Sequence, residues 1–435
     1  MPMTRDEFEH ALQLGLGRAA LHVGSHYSEE LREIILDACL HCYAYDVQTE
    51  GTRAPFIYEI ISKLPDRDFY CDAILPSLAD AGDDTDGVQR FRLATFLAED
   101  GYPGAREALY RHFQPWHTWC DQVAYGFVDL DGVDGLLFVA GKVGEALTRD
   151  SNAAELGWVV RHAYGKLGKQ VCLDALNVAA ASNPHIAAFL RELPKFDWEL
   201  DSSTERWKDV EVLAYGDLQT RMSTLNRGHL MSWGRKTSEE NLLQASAGLM
   251  AAADAASQLK HLYLFTRRAF PLDPAPLLEL AWREDTARAA IVALAHVADD
   301  RVRKLAMELM RTRSVHRGLA IDLLLESFQS GDHAMALRWF LDEEDEEVVH
   351  SLGMGLEDLW ERHPAAEGAT EMRQAIYENG PCSVCRGRAV RRMIESGTLP
   401  DAYREECAFD CNDEIRELVG ASQEGDAPTS PTQAS

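Results

Sequence analysis

The fold of this chain is decided by the stretch Asp299-Asp300-Arg301-Val302-Arg303, where an acidic turn and a β-branched residue open a helix. Looser copies occur at Asp345-Glu346-Glu347-Val348-Val349, at Asn412-Asp413-Glu414-Ile415-Arg416 and at Thr85-Asp86-Gly87-Val88-Gln89. A phrase that recurs along an Ala/Leu-rich chain is typical of stacked helical hairpins. The pattern therefore predicts an all-α architecture, and it says much more about the fold than about the function.

The helix after the first copy has a clear apolar stripe. Its apolar residues recur at i, i+3, i+4, i+7 and i+8, and they are Val302, Leu305, Ala306, Leu309 and Met310. This spacing places them on one face of an amphipathic helix. A similar stripe ends at Val297, and only Ala298 and Asp299 separate the two. We therefore predict that the two helices pack as an antiparallel hairpin.

The phrase Asp-x-Arg-Val-Arg, followed by Ala306 and Leu309, resembles the second helix of a HEAT repeat, one of the armadillo-like repeats. The resemblance implies a right-handed α-solenoid of stacked antiparallel helical hairpins. Such a solenoid is a curved scaffold that binds other macromolecules. The resemblance also implies an ion-pair ladder between neighbouring repeats, in which Asp300 and Arg303 would take part.

The resemblance is good over residues 275–420 and loose over 28–195. Val302 and Val348 are 46 positions apart (348 − 302), which lies within the roughly 40–47 residues of a HEAT or armadillo unit. The predicted division is residues 1–195 as divergent N-terminal repeats, 196–237 as an irregular connection with a long loop over 226–237, 238–420 as C-terminal repeats, and 421–435 as a disordered tail.

Composition narrows the partners. The formal net charge is −28, and a strongly acidic surface repels phosphate backbones and anionic lipids. A protein partner fits better than nucleic acid, although the same charge can serve solubility alone. The first ten residues do not form a secretory signal, and no apolar run approaches the roughly 18 residues of a membrane helix. Nine scattered cysteines are typical of a reducing compartment, so we predict a cytoplasmic protein.

Four cysteines give the sharpest indication of a metal. Cys382 and Cys385 have the C-x-x-C spacing, and Cys407 and Cys411 follow downstream. Four thiolates can hold a tetrahedral zinc ion, but the flanking sequence is helical and the second pair is C-x3-C. Structural cysteines are favoured over zinc and over a redox pair, and we predict no metal or cofactor.

Residues 110–125 are rich in aromatic, histidine and acidic side chains. The members of this cluster are His112, Trp116, His117, Trp119, Cys120 and Asp121. They can form a site, or they can fill the space between two hairpins, as aromatic residues commonly do. The Asp/Gly-rich segments 80–87 and 129–135 do not have the ligand spacing of a calcium loop, and we interpret them as turns and helix N-caps.

The best candidates for partner binding lie in polar segments between predicted helices. The loop 46–53 carries Glu50 and Arg53, and the long loop predicted over 226–237 carries Trp233. A run of six acids forms a possible docking patch for a basic partner: Asp342, Glu343, Glu344, Asp345, Glu346 and Glu347. The alternative interpretation is structural: the run is a solvated turn whose negative charge stabilises the N-terminus of the following helix.

No phosphate-binding Gly-x-x-x-x-Gly-Lys-Ser/Thr, Gly-x-Ser-x-Gly or His-Glu-x-x-His motif occurs, and no catalytic residue is predicted. The favoured function is a non-enzymatic protein-binding scaffold or adaptor. One alternative is an enzyme on a HEAT scaffold, similar to the solenoid glycosylases that remove alkylated DNA bases. Another is a regulatory subunit of a larger assembly with a role in stress or defence.

Overall fold

The structure, a computed structural model, describes residues 2–115, 118–150, 157–193, 210, 213–364 and 367–425. Within these ranges the regular secondary structure is helical and no β-strand is present. The all-α class predicted from the sequence is therefore confirmed. No helix in the same ranges is both long enough and apolar enough to cross a membrane.

Most of the α-helices follow one another with short connections, and two 3-10 helices, Arg317–Leu319 and Asp322–Leu324, lie in the longer link between Arg311 and Asp332. The α-helices up to residue 193 are α1 Arg5–Leu14, α2 Gly17–His26, α3 Arg32–Leu40, α4 Val47–Glu50, α5 Ala54–Ile61, α6 Arg67–Ser77, α7 Thr85–Glu99, α8 Ala105–His112, α9 Cys120–Asp131, α10 Val133–Arg149, α11 Gly157–Leu167, α12 Lys169–Ala180 and α13 Pro184–Glu192. Those after residue 213 are α14 Tyr215–Arg221, α15 Arg227–Lys236, α16 Glu239–Ala251, α17 Ala255–Leu262, α18 Ala275–Leu280, α19 Ala287–Leu294, α20 Asp300–Arg311, α21 Asp332–Leu341, α22 Glu346–Arg362, α23 Ala369–Asn379, α24 Ser383–Glu395, α25 Asp401–Cys407 and α26 Asp413–Gly425.

The recurring acidic phrase opens a helix at each of its copies, as predicted. The residue before the helix accepts a backbone N–H in three of them: Asp299 from Arg301 at 2.7 Å, Asp345 from Glu347 at 3.1 Å and Asn412 from Glu414 at 2.9 Å. This capping satisfies an N–H group that the helix leaves without a partner. The β-branched residue is the third of each helix and is buried, at Val302, Val348 and Ile415. The fourth copy is shifted by one residue, because Asp84 rather than Thr85 caps α7.

The chain divides into two compact units, and the first unit contains residues from both ends of the sequence. It consists of Met1–Glu199, Cys382–Gly387 and Leu399–Ser435. The second unit consists of Leu200–Pro381 and Arg388–Thr398. The sequence groups residues 238–420 together as C-terminal repeats, and nothing in its periodicity indicates that the segments after 382 and 399 belong with the N-terminal helices.

Two glycines allow the C-terminal segment of the first unit to pack closely on its N-terminal helices. Gly15 has a φ of +74°, and its carbonyl oxygen accepts the Cys411 N–H at 2.9 Å. A Cβ on Gly17 would lie 1.8 Å from the carbonyl oxygen of Glu406. Arg18 adds an ion pair to the same residue, with Nη2 2.8 Å from Glu406 Oε1. Side chains other than hydrogen at these two positions would force the segments apart.

The second unit has one continuous apolar core, to which Val302, Phe340 and Trp360 contribute. An ion pair links two helices at its edge, since Arg303 Nε donates to Asp332 Oδ2 at 3.1 Å. Asp332 is only 1% exposed and is the first residue of α21. Arg303 therefore pairs with the start of the next helix in the chain.

The sequence predicts a long loop over 226–237, and this prediction is wrong, because α15 occupies Arg227–Lys236. Asn226 caps that helix with its side-chain oxygen. Gly234, one of the residues that favoured a loop, is instead a packing position. A Cβ there would lie 1.9 Å from the carbonyl oxygen of Leu264, so the helix needs glycine for its close approach to this segment.

Two sequence predictions fall partly outside the described residues. Of the irregular connection 196–237, residues 196–209, 211 and 212 lie outside them. Of the predicted disordered tail 421–435, the first residues belong to α26, which continues to Gly425, and residues 426–435 lie outside.

Candidate functional site

The six acids from Asp342 to Glu347, here called the acidic loop, comprise the link that follows α21 and the first two residues of α22 in the second unit. Glu343 is turned inward, with 4% of its side chain exposed, and Arg317 Nε donates to its Oε2 at 2.6 Å. Asp345 caps α22 by accepting two backbone N–H groups. The other four side chains are exposed, at Asp342, Glu344, Glu346 and Glu347. The loop thus has two carboxylates that organise its backbone and four that mainly face solvent.

Hydrogen bonds fix the charge of the inward carboxylate. The Arg317 guanidinium lowers the pKa of Glu343 to about 2, although its burial acts in the opposite direction. The backbone N–H groups of Glu344 and Asp345 also donate to Glu343 Oε1, at 3.1 and 3.2 Å. Glu343 is therefore ionised at neutral pH and holds the loop in its conformation.

An apolar cleft of about 440 Å³ lies directly beside the acidic loop. We call it the methionine cleft, and its apolar walls are Met307, Met310, Met335 and Trp339. Arg311, Arg313 and Arg317 line it as well, together with Asp342 and Glu343. Arg311 pairs with Glu308, whereas Arg313 and Arg317 share Glu343. Of the exposed carboxylates of the acidic loop, that of Asp342 lines the cleft, and the others lie next to it along the chain.

Trp233 does not lie on the surface. Its side chain is 0% exposed, and its indole Nε1 donates to the Leu213 carbonyl at 2.8 Å. A partner can contact this residue only if the core of the second unit opens. The role visible in the structure is therefore packing.

Glu50 and Arg53 are also buried, in the first unit. Arg53 Nη2 lies 3.1 Å from Glu50 Oε2, and the two side chains are 3% and 0% exposed. The Ser383 N–H donates to Glu50 Oε2 at 2.8 Å, and Arg53 Nη1 lies 3.0 Å from Cys411 Sγ. Burial raises the pKa of Glu50, but Arg53 and the Ser383 hydrogen bonds together lower it by a larger amount. The pKa of Glu50 therefore lies below its ordinary value. The pair thus joins the 46–53 segment to the C-terminal segment of the same unit.

The four cysteines considered for zinc do not assemble into a ligand set. Among the described residues, Cys382, Cys385, Cys407 and Cys411 do not supply three or more thiols within 4.8 Å of one another. Burial raises the pKa of the Cys411 thiol to about 11, which disfavours the thiolate that a metal requires.

The aromatic cluster of residues 110–125 is only partly described. Trp116, His117 and the side chain of Cys120 lie outside the described part. The backbone N–H groups of Thr118 and Trp119 donate to the Asp83 carboxylate, each at 3.0 Å. This carboxylate fixes the chain just before α9.

A second cleft, of about 460 Å³, lies within the first unit and is lined mostly by polar groups. We call it the polar cleft. Its lining comes from the end of α4 to the start of α5, from the helices α7, α9 and α11, from α24, and from the start of α26 with the two residues before it. Glu50 lines this cleft, so one of the candidate residues from the sequence does belong to a concave polar surface.

A hydrogen-bonded set of side chains from α9 and α11 forms one wall of the polar cleft. His162 Nε2 lies 2.9 Å from Asp129 Oδ1, and Lys166 Nζ lies 2.6 Å from the same oxygen. The Tyr125 ring stacks on His162 with centroids 4.5 Å apart and planes inclined by 25°. Burial raises the pKa of Asp129, but the contacts with Lys166 and His162 together lower it by a larger amount. Asp129 is therefore ionised at neutral pH.

The chemistry available at this wall is that of an oriented imidazole. Asp129 and Tyr125 fix the ring of His162 from its edge and its face. Burial, followed by the neighbouring Asp121, raises the pKa of Tyr125, so its hydroxyl stays protonated. An oriented imidazole can hydrogen-bond an anion or a hydroxyl, and it can exchange a proton with a bound molecule.

Sequence reasoning missed this site. It interpreted the 129–135 segment as a turn, although Asp129 is on α9 and only Gly132 separates α9 from α10. A signal was available, because Asp121, Tyr125 and Asp129 recur at i+4 and form one polar stripe along a helix. His162 and Lys166 have the same spacing on the facing helix.

Comparison of the chain with protein-family models, with curated proteins and with solved structures finds no match.

Proposed function

We propose that this chain is a protein-binding scaffold built from HEAT-like helical hairpins. Support for the repeat arrangement comes from α20, α22 and α26, which begin in the same way, each with a capping side chain and a buried β-branched third residue. Neighbouring helices such as α18 and α19, which contact each other, are joined by short links. The stacking of these hairpins into a right-handed solenoid is part of the proposal.

The observation that carries the function is the position of the methionine cleft next to the acidic loop. Methionine side chains are flexible and polarisable, so they adapt to varied apolar partners. Leu341, which precedes the loop, is 52% exposed and extends the apolar surface. An apolar groove beside an acidic loop complements an amphipathic helix whose polar face is basic.

The partner proposed is therefore a protein segment with apolar and basic residues at helical spacing. The net charge of −28 would speed its approach at low salt and would repel nucleic acid. The proposal places the scaffold in the cytoplasm, where its cysteines would stay reduced. It assigns no catalytic residue and no cofactor.

The test is affinity capture from the native lysate at about 150 mM salt, with identification of the captured proteins by mass spectrometry. The variant to compare carries Glu344→Lys, Glu346→Lys and Glu347→Lys. A stoichiometric partner of the natural chain should be lost from this variant. The matched control reverses three exposed acids of the first unit, at Glu29, Glu30 and Glu33, and should keep the partner.

A second variant, Trp339→Ala, tests the apolar part of the surface. Truncation of a central aromatic residue typically weakens an interface by at least about tenfold. A partner that binds all three variants as tightly as the natural chain would overturn the proposed interface. Circular dichroism should show that each variant keeps its helical content.

A further inference from the structure

In the polar cleft of the first unit, some charged side chains form ion pairs within the part of the protein that the structure describes, but not all of them do. Three of its acids already have cationic partners: Glu50 pairs with Arg53, Asp129 with Lys166 and Asp413 with Arg416. Their negative charges are thus largely compensated within the protein. What matters for a ligand is then the charge that remains without a counterion.

Beyond these three acids, the cleft is lined by one further acid, Glu414, and by the arginine Arg92 on α7. Arg92 is half-buried. Its guanidinium carbon lies 5.3 Å from the centroid of the Phe96 ring, and within the described part of the chain it makes no hydrogen bond or ion pair. Burying a guanidinium without an anion is unfavourable. A ligand that brings an oxyanion would give its planar fork a bidentate partner.

Two more polar side chains line the same cleft. The amide of Gln122 lines the cleft and has no hydrogen bond to a described residue. His162 donates its Nε2 proton to Asp129 at 2.9 Å. This leaves Nδ1 for another molecule: it accepts a hydroxyl proton, such as that of hydrogen phosphate, in the neutral ring, and it donates to an oxyanion only in the imidazolium. A volume of about 460 Å³ is enough for a small metabolite-sized molecule.

We propose that the polar cleft binds the oxyanion group of a small polar molecule, with Arg92 as its anchor and Gln122 and His162 as additional partners. The shared chemistry is that of a carboxylate or a phosphate. This site is separate from the proposed protein-binding surface, because every residue that lines it belongs to the first unit. The two proposals can therefore fail independently.

The experiment is a titration of the purified full-length chain with inorganic phosphate and, separately, with acetate, at constant ionic strength. Binding is followed by calorimetry and by chemical-shift changes of the histidine ring protons. Saturation by phosphate but not by acetate identifies a phosphate site, and the reverse identifies a carboxylate site. Failure of both anions to bind at concentrations up to about 50 mM would overturn the proposal.

Variants locate the site. Arg92→Gln should weaken binding by about 10- to 100-fold, the usual effect of losing a hydrogen bond to a charged group. Arg92→Lys should have a smaller effect, because it keeps the charge but loses the fork. The matched control is Arg5→Gln, which removes an exposed arginine of the same unit and should leave the affinity unchanged.

Loss of folding must be told apart from loss of the site. Circular dichroism and thermal unfolding are measured for each variant, and His162→Gln replaces Arg92→Gln if the latter does not fold. His162→Gln should weaken anion binding by several-fold while the protein keeps its helical content. Equal affinity in the natural chain and in every folded Arg92 and His162 variant would contradict the proposed site.

Discussion

Acidic side chains in the two units have opposite environments, although they look alike in the sequence. Glu50 of the first unit is 0% exposed and has a guanidinium 3.1 Å away. Glu344 of the second unit, in the acidic loop, is exposed to solvent. In the sequence both lie in polar segments between predicted helices. The comparison teaches that a polar segment is a candidate binding surface only when its charges remain uncompensated by the rest of the chain.

The second unit also contains a carboxyl without a compensating cation. Burial, together with the nearby Asp358, raises the pKa of Asp322 to about 7. Glu50, Asp322 and Glu344 thus represent a buried paired acid, a poorly compensated acid and an exposed acid. Their substitution should affect folding stability in three distinct ways.

The largest effect is expected from Arg53→Met, which leaves Glu50 buried without its guanidinium. Removing one partner of a buried ion pair typically costs about 3–5 kcal/mol. The free energy of unfolding, measured by urea denaturation with circular dichroism, should fall by that amount. The control is Arg301→Met, since Arg301 is 44% exposed in its pairs with Asp273 and Asp299 and should lose less than about 1 kcal/mol.

A change of the opposite sign is expected from Asp322→Asn. In the folded protein the carboxyl has its pKa raised to about 7, so its ionisation opposes folding above the ordinary aspartate pKa. At pH 8 the variant should be more stable than the natural chain by about 2–4 kcal/mol. The gain should shrink as pH falls from about 7 to about 4, because the natural carboxyl then takes up a proton on folding. Equal stability at every pH would show that Asp322 is well solvated.

A smaller loss is expected from Glu343→Gln in the acidic loop. Since the folded pKa is lowered to about 2, the charged form stabilises the protein above the ordinary glutamate pKa. The variant should lose about 2–3 kcal/mol at pH 7, and the difference should narrow as pH falls from about 4.5 toward 2. Denaturation curves at several pH values check this dependence. A loss that does not depend on pH would mean that shape, rather than charge, explains the role of Glu343.

The smallest effect is expected from Glu344→Gln, next in the chain to Glu343. An exposed side chain without a specific contact usually changes stability by less than about 0.5 kcal/mol. The comparison between neighbouring residues is therefore a sharp one, and it is measured in the same denaturation experiment. A loss as large as that of Glu343→Gln would remove the distinction between the inward and the exposed acids of the loop.

Local structure could be predicted from the sequence wherever capping and periodicity agree. The starts of α20, α22 and α26 follow from a short polar cap and a β-branched residue at a fixed distance. The helix α15 was missed because Gly228, Trp233 and Gly234 resemble a loop when they are read alone. In the structure Gly234 is required by a backbone contact with Leu264, and such a contact has no signature in local sequence.

Long-range pairing could not be predicted for the same physical reason. Glu50 and Arg53 were found as candidates, but their burial depends on Ser383 and Cys411, more than three hundred residues later in the chain. The polar cleft likewise needs α9 and α11 to face each other. Side-chain spacing gives the polar stripe on each helix, whereas the packing of the two helices is a property of the tertiary fold.

The close packing at Gly15 and Gly17 has a consequence for the synthesis of this protein. The backbone N–H of Cys411 donates to the carbonyl oxygen of Gly15. In the sequence, Cys411 lies 394 residues after Gly17 (411 − 17). At about 5–20 residues per second, a ribosome needs about 20–80 seconds to make that length of chain. The first helices therefore emerge long before the last ones. During this time Glu406 and Cys411 do not yet cover the surface of α1 and α2, and chaperones can bind it. The first unit therefore begins to emerge before the second unit, but it can be completed only after the second unit has been made.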